Sequence, residues 1–164
     1  MQEIVNQVES NSSEVHEMVR AIITDATNEL DCFIDSVKDL FLSDKNIPDG
    51  DLDKIILKIP VFIYYLTQVQ QQIDIRKGIS AESAKYTENQ ALLGATGTVA
   101  EKQARAANET INNRVVQLAY KTASSLLQAK ISAAMEILAS AKRVQQRKLE
   151  EMKLTRQAGD SVGF

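Results

Sequence analysis

Apolar residues recur every three or four positions through most of the chain, which is the spacing of helices that each bury one face. The first such run extends from about Ser12 to Phe41. Small polar residues just before it, Ser10 to Ser13, are typical of a helix N-cap. The pattern therefore predicts an amphipathic helix within an acidic N-terminal segment, residues 1–43.

Turn-forming residues interrupt the pattern after this helix and predict a linker over residues 44–51. Asp51 is a natural N-cap for a second helix that opens at Leu52. Pro60 falls inside this second apolar pattern, where a proline removes a backbone donor and clashes with the preceding turn. Either the helix kinks here or residues 52–59 form a separate short helix, and we favour a break near Ile59.

The strongest helix start in the chain comes after a weaker helical stretch at 80–93. Thr98 and Glu101 match a capping box, in which each side chain binds the free backbone N–H of the other residue. Neither Gly nor Pro then occurs before Gly159, so a helix of nearly 60 residues is allowed, roughly 90 Å long at 1.5 Å per residue. The pattern leaves open whether this helix is continuous.

A helix of that length has more apolar surface than a small chain usually covers, which suggests pairing between copies. The predicted fold is all-α: a long helical hairpin or bundle with a very long C-terminal helix, completed by oligomerisation. Residues 52–158 form the hairpin core and the oligomerisation region, and residues 159–164 are a flexible tail. The side chains expected at the contact between subunits are Val116, Tyr120, Leu127, Ile131 and Leu138.

Composition supports the helical reading, since the chain has no Trp and only 5% aromatic residues. A single cysteine, Cys32, cannot form an intrachain disulfide and is expected in the core. The N-terminus lacks the features of a secretion signal, and no stretch is apolar enough to span a bilayer. These features predict a protein of the cytoplasm.

Catalytic chemistry has little support in the residues. The one histidine, His16, and the absence of a glycine-rich phosphate loop argue against the usual nucleophile and base sets, so we expect no enzyme, cofactor or metal. Asp49, Asp51 and Asp53 have the alternate spacing of a calcium loop, but Pro60 occupies the position of its bidentate acid. They are interpreted as turn and cap residues.

Charge is divided unevenly along the chain although its net value is only −3. Residues 1–60 hold 13 acidic and 5 basic side chains, a balance of −8, whereas residues 102–157 hold 11 basic and 4 acidic ones, a balance of +7. We therefore expect the acidic segment to dock on the basic region of its own or a neighbouring chain, in competition with nucleic acid.

Two groups of residues are candidates for binding nucleic acid. Cations spaced along a helix can neutralise successive phosphates and release counterions, and the C-terminal cluster has this pattern. Its alternative is a solvated helix end whose positive charge complements the dipole. This cluster consists of Lys142, Arg143, Arg147, Lys148, Lys153 and Arg156. A second group, in which an aromatic ring that can stack on a base accompanies cations, is Arg76, Lys77, Lys85 and Tyr86.

Tyr64 and Tyr65 lie in the most apolar part of the chain and are predicted to be core or subunit-contact residues.

Residues 47–156 resemble the UvsY-like family, which is related to the recombination mediator of T-even bacteriophages. The resemblance comprises Lys58-Ile59-Pro60 with the apolar run 62–66, the basic stretch 76–86, the break 94–98, and a long helix that ends in 141–149. It implies a ring-like homo-oligomer that binds single-stranded DNA and helps load a RecA-type recombinase in place of single-strand-binding protein. Residues 1–43 fall outside the resemblance, and the family's basic-aromatic stretch is represented only by the second group.

Two other classes of function fit the same sequence. A structural or scaffolding protein of a phage particle would use long amphipathic helices for assembly alone. An adaptor or inhibitor would use its acidic first helix to occupy the basic groove of a protein partner. Response to salt separates the first of these from a DNA-binding protein, because binding to phosphates weakens steeply as salt rises.

Overall fold

The chain folds into four α-helices in the computed structural model, which describes the backbone of residues 2–42, 47–94 and 96–160. Side chains are described over the same ranges except at 2–9, 105, 109 and 158–160. The described residues contain no strand, which confirms the all-α prediction. The helices are α1 (Gln2–Leu42), α2 (Asp49–Gly94), α3 (Val99–Glu109) and α4 (Ile111–Asp160).

Helix α1 begins about ten residues earlier than the sequence pattern indicates. The expected cap at Ser10 to Ser13 is wrong, because these residues lie inside the helix. Serine and asparagine each weaken a helix interior by only about half a kcal/mol relative to alanine, so a few of them do not end it. The long apolar face beyond them, which includes the buried Val19, Ile23 and Leu30, stabilises the helix instead.

Helix α2 passes through Pro60 without a break, so the predicted interruption near Ile59 is wrong. Proline in a helix interior costs about 3 kcal/mol. Ile55, Ile59 and Leu66 are buried on one side of the helix, whereas Pro60 is exposed on another. Since full burial of each such side chain contributes roughly 1.5–3 kcal/mol, packing of the buried face offsets the proline.

The start of α2 also differs from the prediction, which placed the N-cap at Asp51. The carbonyl of Pro48 accepts hydrogen bonds from the backbone N–H groups of Asp51 and Leu52, both at 3.1 Å. Pro48 is therefore the residue that precedes the helix, and Asp49 and Asp51 lie in its first turn. Carboxylates are favoured there by the positive end of the helix dipole.

The capping box at α3 is confirmed. The Thr98 backbone N–H donates to Oε2 of Glu101 at 2.8 Å, and the Glu101 N–H donates to Oγ1 of Thr98 at 3.4 Å. Gly97 precedes the cap with a φ of +116°, a conformation that glycine adopts without strain. The turn from α2 into α3 thus depends on one glycine and two polar side chains.

The long C-terminal helix allowed by the sequence is divided at one residue, Thr110. Its hydroxyl donates to the carbonyls of Ala106 and Ala107, at 2.8 and 3.1 Å. A threonine that bonds back to the preceding turn in this way bends a helix. Backbone bonding resumes at once, because the Arg114 N–H donates to the Thr110 carbonyl at 3.0 Å.

Contacts divide the chain into two compact units. Unit 1 comprises Met1–Thr27 and Thr67–Gln128, and unit 2 comprises Asn28–Leu66 and Ala129–Phe164. Each unit has its own apolar core. The core of unit 1 includes Val19, Ile23, Ile73, Val115, Ala119, Ala123 and Leu127. The core of unit 2 includes Leu30, Val37, Leu52, Ile55, Ile59, Ile131, Ala134 and Ala141. The predicted tail, 159–164, begins too early, because α4 extends to Asp160, and residues 161–164 lie outside the described residues.

A polar network joins α2 to α4 inside unit 1. The Ser124 hydroxyl donates to Asp74 at 2.8 Å and accepts from the amide of Gln70 at 2.9 Å. Lys77 also donates to Asp74, at 2.9 Å, and this bond, followed by those from Ser124 and Gln70, lowers the pKa of the Asp74 carboxyl. Ser124 is buried, and a buried hydroxyl requires its partners, so the network favours one register of the two helices.

Two predicted contact residues are covered within the chain itself. Leu127 and Ile131 are buried, the first in unit 1 and the second in unit 2. Val116, Tyr120 and Leu138 are partly exposed. The sequence pattern assigned the contacts of these two residues to a second copy, whereas other helices of the same chain bury them. Cys32, expected in the core, is exposed, and its thiol lies 3.7 Å from Oδ1 of Asn28.

Candidate nucleic-acid interface

A cluster of cations projects from the last third of α4, in unit 2. Its five members are exposed, and none forms an ion pair with any described residue. The members of this cationic cluster are Lys142, Arg143, Arg147, Lys153 and Arg156. Charges held without an intramolecular partner are free to bind an external anion.

Helical geometry arranges the cationic cluster in two rows. With about 100° between successive residues, Lys142, Lys153 and Arg156 lie within roughly 60° of one another. Arg143 and Arg147 form a neighbouring row, one turn apart. The cluster extends about 21 Å along the helix at 1.5 Å per residue, which is long enough to contact several phosphates of one strand.

Two carboxylates reduce the positive charge of this segment. Glu150 and Glu151 are exposed between the cations, and the amide of Gln146 donates to Glu150 at 3.1 Å. Residues 142–156 hold six cations, including Lys148, and these two carboxylates, so their net charge is +4. The segment therefore keeps the sign and density of charge that a polyanion requires.

Lys148, predicted to belong to the DNA-binding group, has a partner inside unit 2. Its ammonium donates to Oδ1 of Asp49 at 2.8 Å and to the carbonyl of Ile47, and its side chain is only 18% exposed. The spacing of buried residues along α4 indicates that the stem of Lys148 is buried. Lys148 follows the buried Ala134 and Ala141 at intervals of seven residues, so its stem lies on the buried side of α4 while its charge reaches the start of α2.

The second predicted group, on α2 in unit 1, is dispersed by the helix. Residues 76 and 77 lie about 100° apart around the helix, as do residues 85 and 86. Lys77 donates to Asp74 and Lys85 donates to Glu82, each at 2.9 Å, whereas Arg76 has no ion pair with a described residue. The exposed ring of Tyr86 therefore does not share one face of the helix with these cations.

Tyr64 and Tyr65 are exposed in unit 2, so the core alternative for this pair is wrong. Their ring centroids lie 5.6 Å apart with an interplanar angle of 75°, an edge-to-face arrangement. Exposed leucine and valine accompany them on the unit 2 part of α2, at Leu57 and Val61. The alternative of a contact with another molecule stays a prediction.

An ion pair joins the acidic first helix to the basic region of the chain, residues 102–157. Asp31 of α1 pairs with Lys130 of α4, inside unit 2. Phe33 packs on Phe62 nearby, with the ammonium of Lys58 5.4 Å from the Phe33 ring centroid. Among the described residues, however, no carboxylate of α1 pairs with the cationic cluster.

The three aspartates with calcium-like spacing are part of a helix rather than a loop. Asp49 binds Lys148, Asp51 accepts from Lys54 at 2.9 Å, and Asp53 accepts from the amide of Gln145 at 2.9 Å. Within the described part of the chain, no group of three His, Cys, Asp or Glu side chains is placed to hold a metal ion. None of the described helices is both long enough and apolar enough to cross a membrane.

The fold and the cluster define an all-α protein with an exposed cationic helix segment. Comparison of the chain with protein-family models, with curated proteins and with solved structures finds no match.

Proposed function

We propose that this protein is a recombination accessory that binds single-stranded DNA through the cationic cluster of α4 and assists the loading of a RecA-type recombinase. The observation that carries the binding step is the set of five exposed cations that form no ion pair with any described residue. The choice of single-stranded DNA and of a recombinase rests on the resemblance to UvsY-like proteins.

Binding in this proposal is electrostatic and independent of base sequence. Each cation that neutralises a phosphate releases condensed counterions, so the logarithm of the affinity falls by about 0.7 per contact for each tenfold rise in salt. Five contacts would give a slope of about −3.5. Glu150 and Glu151 lie within the cluster and repel phosphate, which lowers the effective number of contacts.

The test measures fluorescence anisotropy of a labelled single-stranded oligonucleotide across a range of salt. The variant R143Q/R147Q removes one row of the cluster and should reduce the magnitude of the salt slope by about 1.4. The matched control K102Q/K121Q removes two cations outside the cluster and should leave the slope unchanged. Equal effects of the two variants, or no binding by the parent protein at low salt, would exclude the cluster as a DNA site.

Recruitment of the recombinase is tested separately, since it needs a second partner. Recombinase filaments would be assembled on DNA already coated with single-strand-binding protein, with and without this chain. Faster assembly that R143Q/R147Q abolishes is expected. Unchanged assembly despite tight DNA binding would limit the function to DNA binding.

A structural role is a second candidate, favoured by large apolar side chains that α2 exposes in both units. A protein that assembles only through such faces would show no affinity for the oligonucleotide and little loss of assembly as salt rises. The same salt series therefore separates the two functions.

A further inference from the structure

The outer face of α2 in unit 1 exposes four large apolar side chains. Ile75 is 63% exposed, Ile79 64%, Tyr86 66% and Leu93 81%. An open, shallow depression runs along this face and is lined by residues of α2 alone, from Ile75 to Tyr86. No other described element covers these side chains, which will be called the α2 outer face.

The spacing of the α2 outer face is that of a surface that packs on another helix. Ile79, Tyr86 and Leu93 follow one another at intervals of seven residues, and Ile75 precedes Ile79 by four. With about 100° per residue, all four lie within roughly 40° of one another, nearly opposite the buried Ile73. Helix α2 thus has one apolar face for its own core and a second one that its own unit does not use.

Two opposite charges of this helix lie at equal distances from Ile79. Arg76 lies three residues before Ile79, and Glu82 lies three residues after it. Arg76 has no ion pair with a described residue, and the pair that Glu82 forms with Lys85 is exposed on both sides. Exposed pairs of that kind contribute little, so Glu82 can exchange its partner.

We propose that the α2 outer face binds the same face of a second copy of this chain, with the two helices antiparallel and centred on Ile79. In an antiparallel pair, residues equally far before and after the centre come to the same level. Arg76 of each copy therefore lies at the level of Glu82 of the other, twice by symmetry. A parallel pair would instead align Arg76 with Arg76 and Glu82 with Glu82, which like-charge repulsion disfavours.

The size of the surface predicts a reversible dimer. Full burial of a large apolar side chain removes roughly 60–120 Å² from water, as estimated from its transfer free energy. Because these four side chains are already about a third buried, they supply roughly 160–330 Å², well under half of the ~800 Å² per partner in a stable interface. Polar side chains on the same face, Gln72 and Glu82 among them, supply the remainder. Association should therefore depend on protein concentration.

The first test is sedimentation velocity of the full chain over a range of concentrations. Ile79→Lys places two cations at the centre of the pair and should weaken association by at least about tenfold. Leu118→Lys is the matched control, because Leu118 is an exposed apolar residue of unit 1 on α4, 51% exposed, outside the α2 outer face. A chain that is monomeric at every concentration, or an association that Ile79→Lys leaves unchanged, would overturn the proposal.

A charge exchange tests the antiparallel arrangement itself. Arg76→Glu and Glu82→Arg should each weaken association, because each puts like charges at the same level. The double variant R76E/E82R should restore it, which a merely structural role for either residue would not produce. Failure of the double variant to recover would exclude the proposed register. Neither test involves the cationic cluster, so the dimer and the DNA proposal can fail independently.

Discussion

Lys148 and Asp49 form an ion pair at 2.8 Å that joins the last third of α4 to the first turn of α2. The lysine side chain is mostly buried, whereas the aspartate is 71% exposed. The same ammonium also binds the carbonyl of Ile47, just before the helix. Lys148 thus holds the start of α2 inside unit 2, while Arg147, the preceding residue, is exposed and has no such partner.

Neutralising these two adjacent basic residues should therefore affect different properties, stability for Lys148 and DNA binding for Arg147. Lys148→Met keeps most of the apolar stem but removes the charge, and we expect it to lower the free energy of unfolding by about 1–3 kcal/mol. Affinity for single-stranded DNA should change little. Arg147→Gln should weaken DNA binding with a change in stability below about 0.5 kcal/mol. Urea denaturation and fluorescence anisotropy on both variants measure these two quantities, and a reversed assignment would refute this division of roles.

Ser124 should be important for stability because it belongs to the polar network of unit 1. Ser124→Ala removes the hydroxyl that donates to the exposed carboxylate of Asp74 and accepts from the amide of Gln70, while Lys77 and Gln70 still donate to Asp74. The expected loss is about 0.5–1.5 kcal/mol in the free energy of unfolding, the net contribution of a typical hydrogen bond. Ser125→Ala, at an exposed neighbouring position, should alter stability by less than about 0.5 kcal/mol. Similar urea midpoints for the two variants would show that the network does not stabilise the helix pair.

The same network should make stability depend on pH in the acid range. The pKa of the Asp74 carboxyl is lowered in the folded state, chiefly by Lys77 and then by Ser124 and Gln70. A lowered folded-state pKa gives stability that is present above the ordinary carboxyl pKa of about 4 and is lost as pH falls through the folded value.

The variant Asp74→Asn should remove this contribution without removing the side chain's shape. We expect a smaller loss of unfolding free energy in the variant than in the parent between about pH 5 and pH 2. Urea midpoints measured across that range provide the comparison. Parallel curves for the two proteins would mean that other carboxylates account for the acid sensitivity.

Local signals in the sequence identified the helices and the capping box, but long-range burial determined where the helices end. Thr98 and Glu101 interact with each other, so their spacing alone predicts the cap. Pro60 is exposed on α2, away from a buried face that packs on residues distant in sequence. Local sequence rules do not include the stability that this packing contributes. Thr110 divides α3 from α4 through the hydrogen bond that its hydroxyl donates to the preceding turn. Threonine forms this bond in only some helices, so its presence in the sequence does not predict the division.

The candidate site was predictable in part, for a similar reason. Charge and spacing along α4 were sufficient to find the cationic cluster, since an exposed helix end needs no tertiary partner. They could not separate Lys148 from Arg147, because only the packing of α2 against α4 in unit 2 buries one of them. Likewise, the regular apolar line through Leu127 and Ile131 predicts that something covers it, without indicating whether the cover is the same chain or another copy.

Gly97 should tolerate substitution poorly because its backbone and its neighbour both exclude a side chain. Its φ of +116° is strained for other residues, and a Cβ there would lie 2.6 Å from Oε2 of Glu101, the oxygen that caps α3. Gly97→Ala should therefore lower the free energy of unfolding by about 1–3 kcal/mol, through strain and through loss of the cap. Gly78→Ala is the matched control, since a Cβ there meets nothing within 4 Å in the middle of α2, and alanine should stabilise that helix by about 0.5–1 kcal/mol. Opposite shifts in the urea midpoint are expected, and a stabilising Gly97→Ala would show that the turn before α3 does not need its glycine.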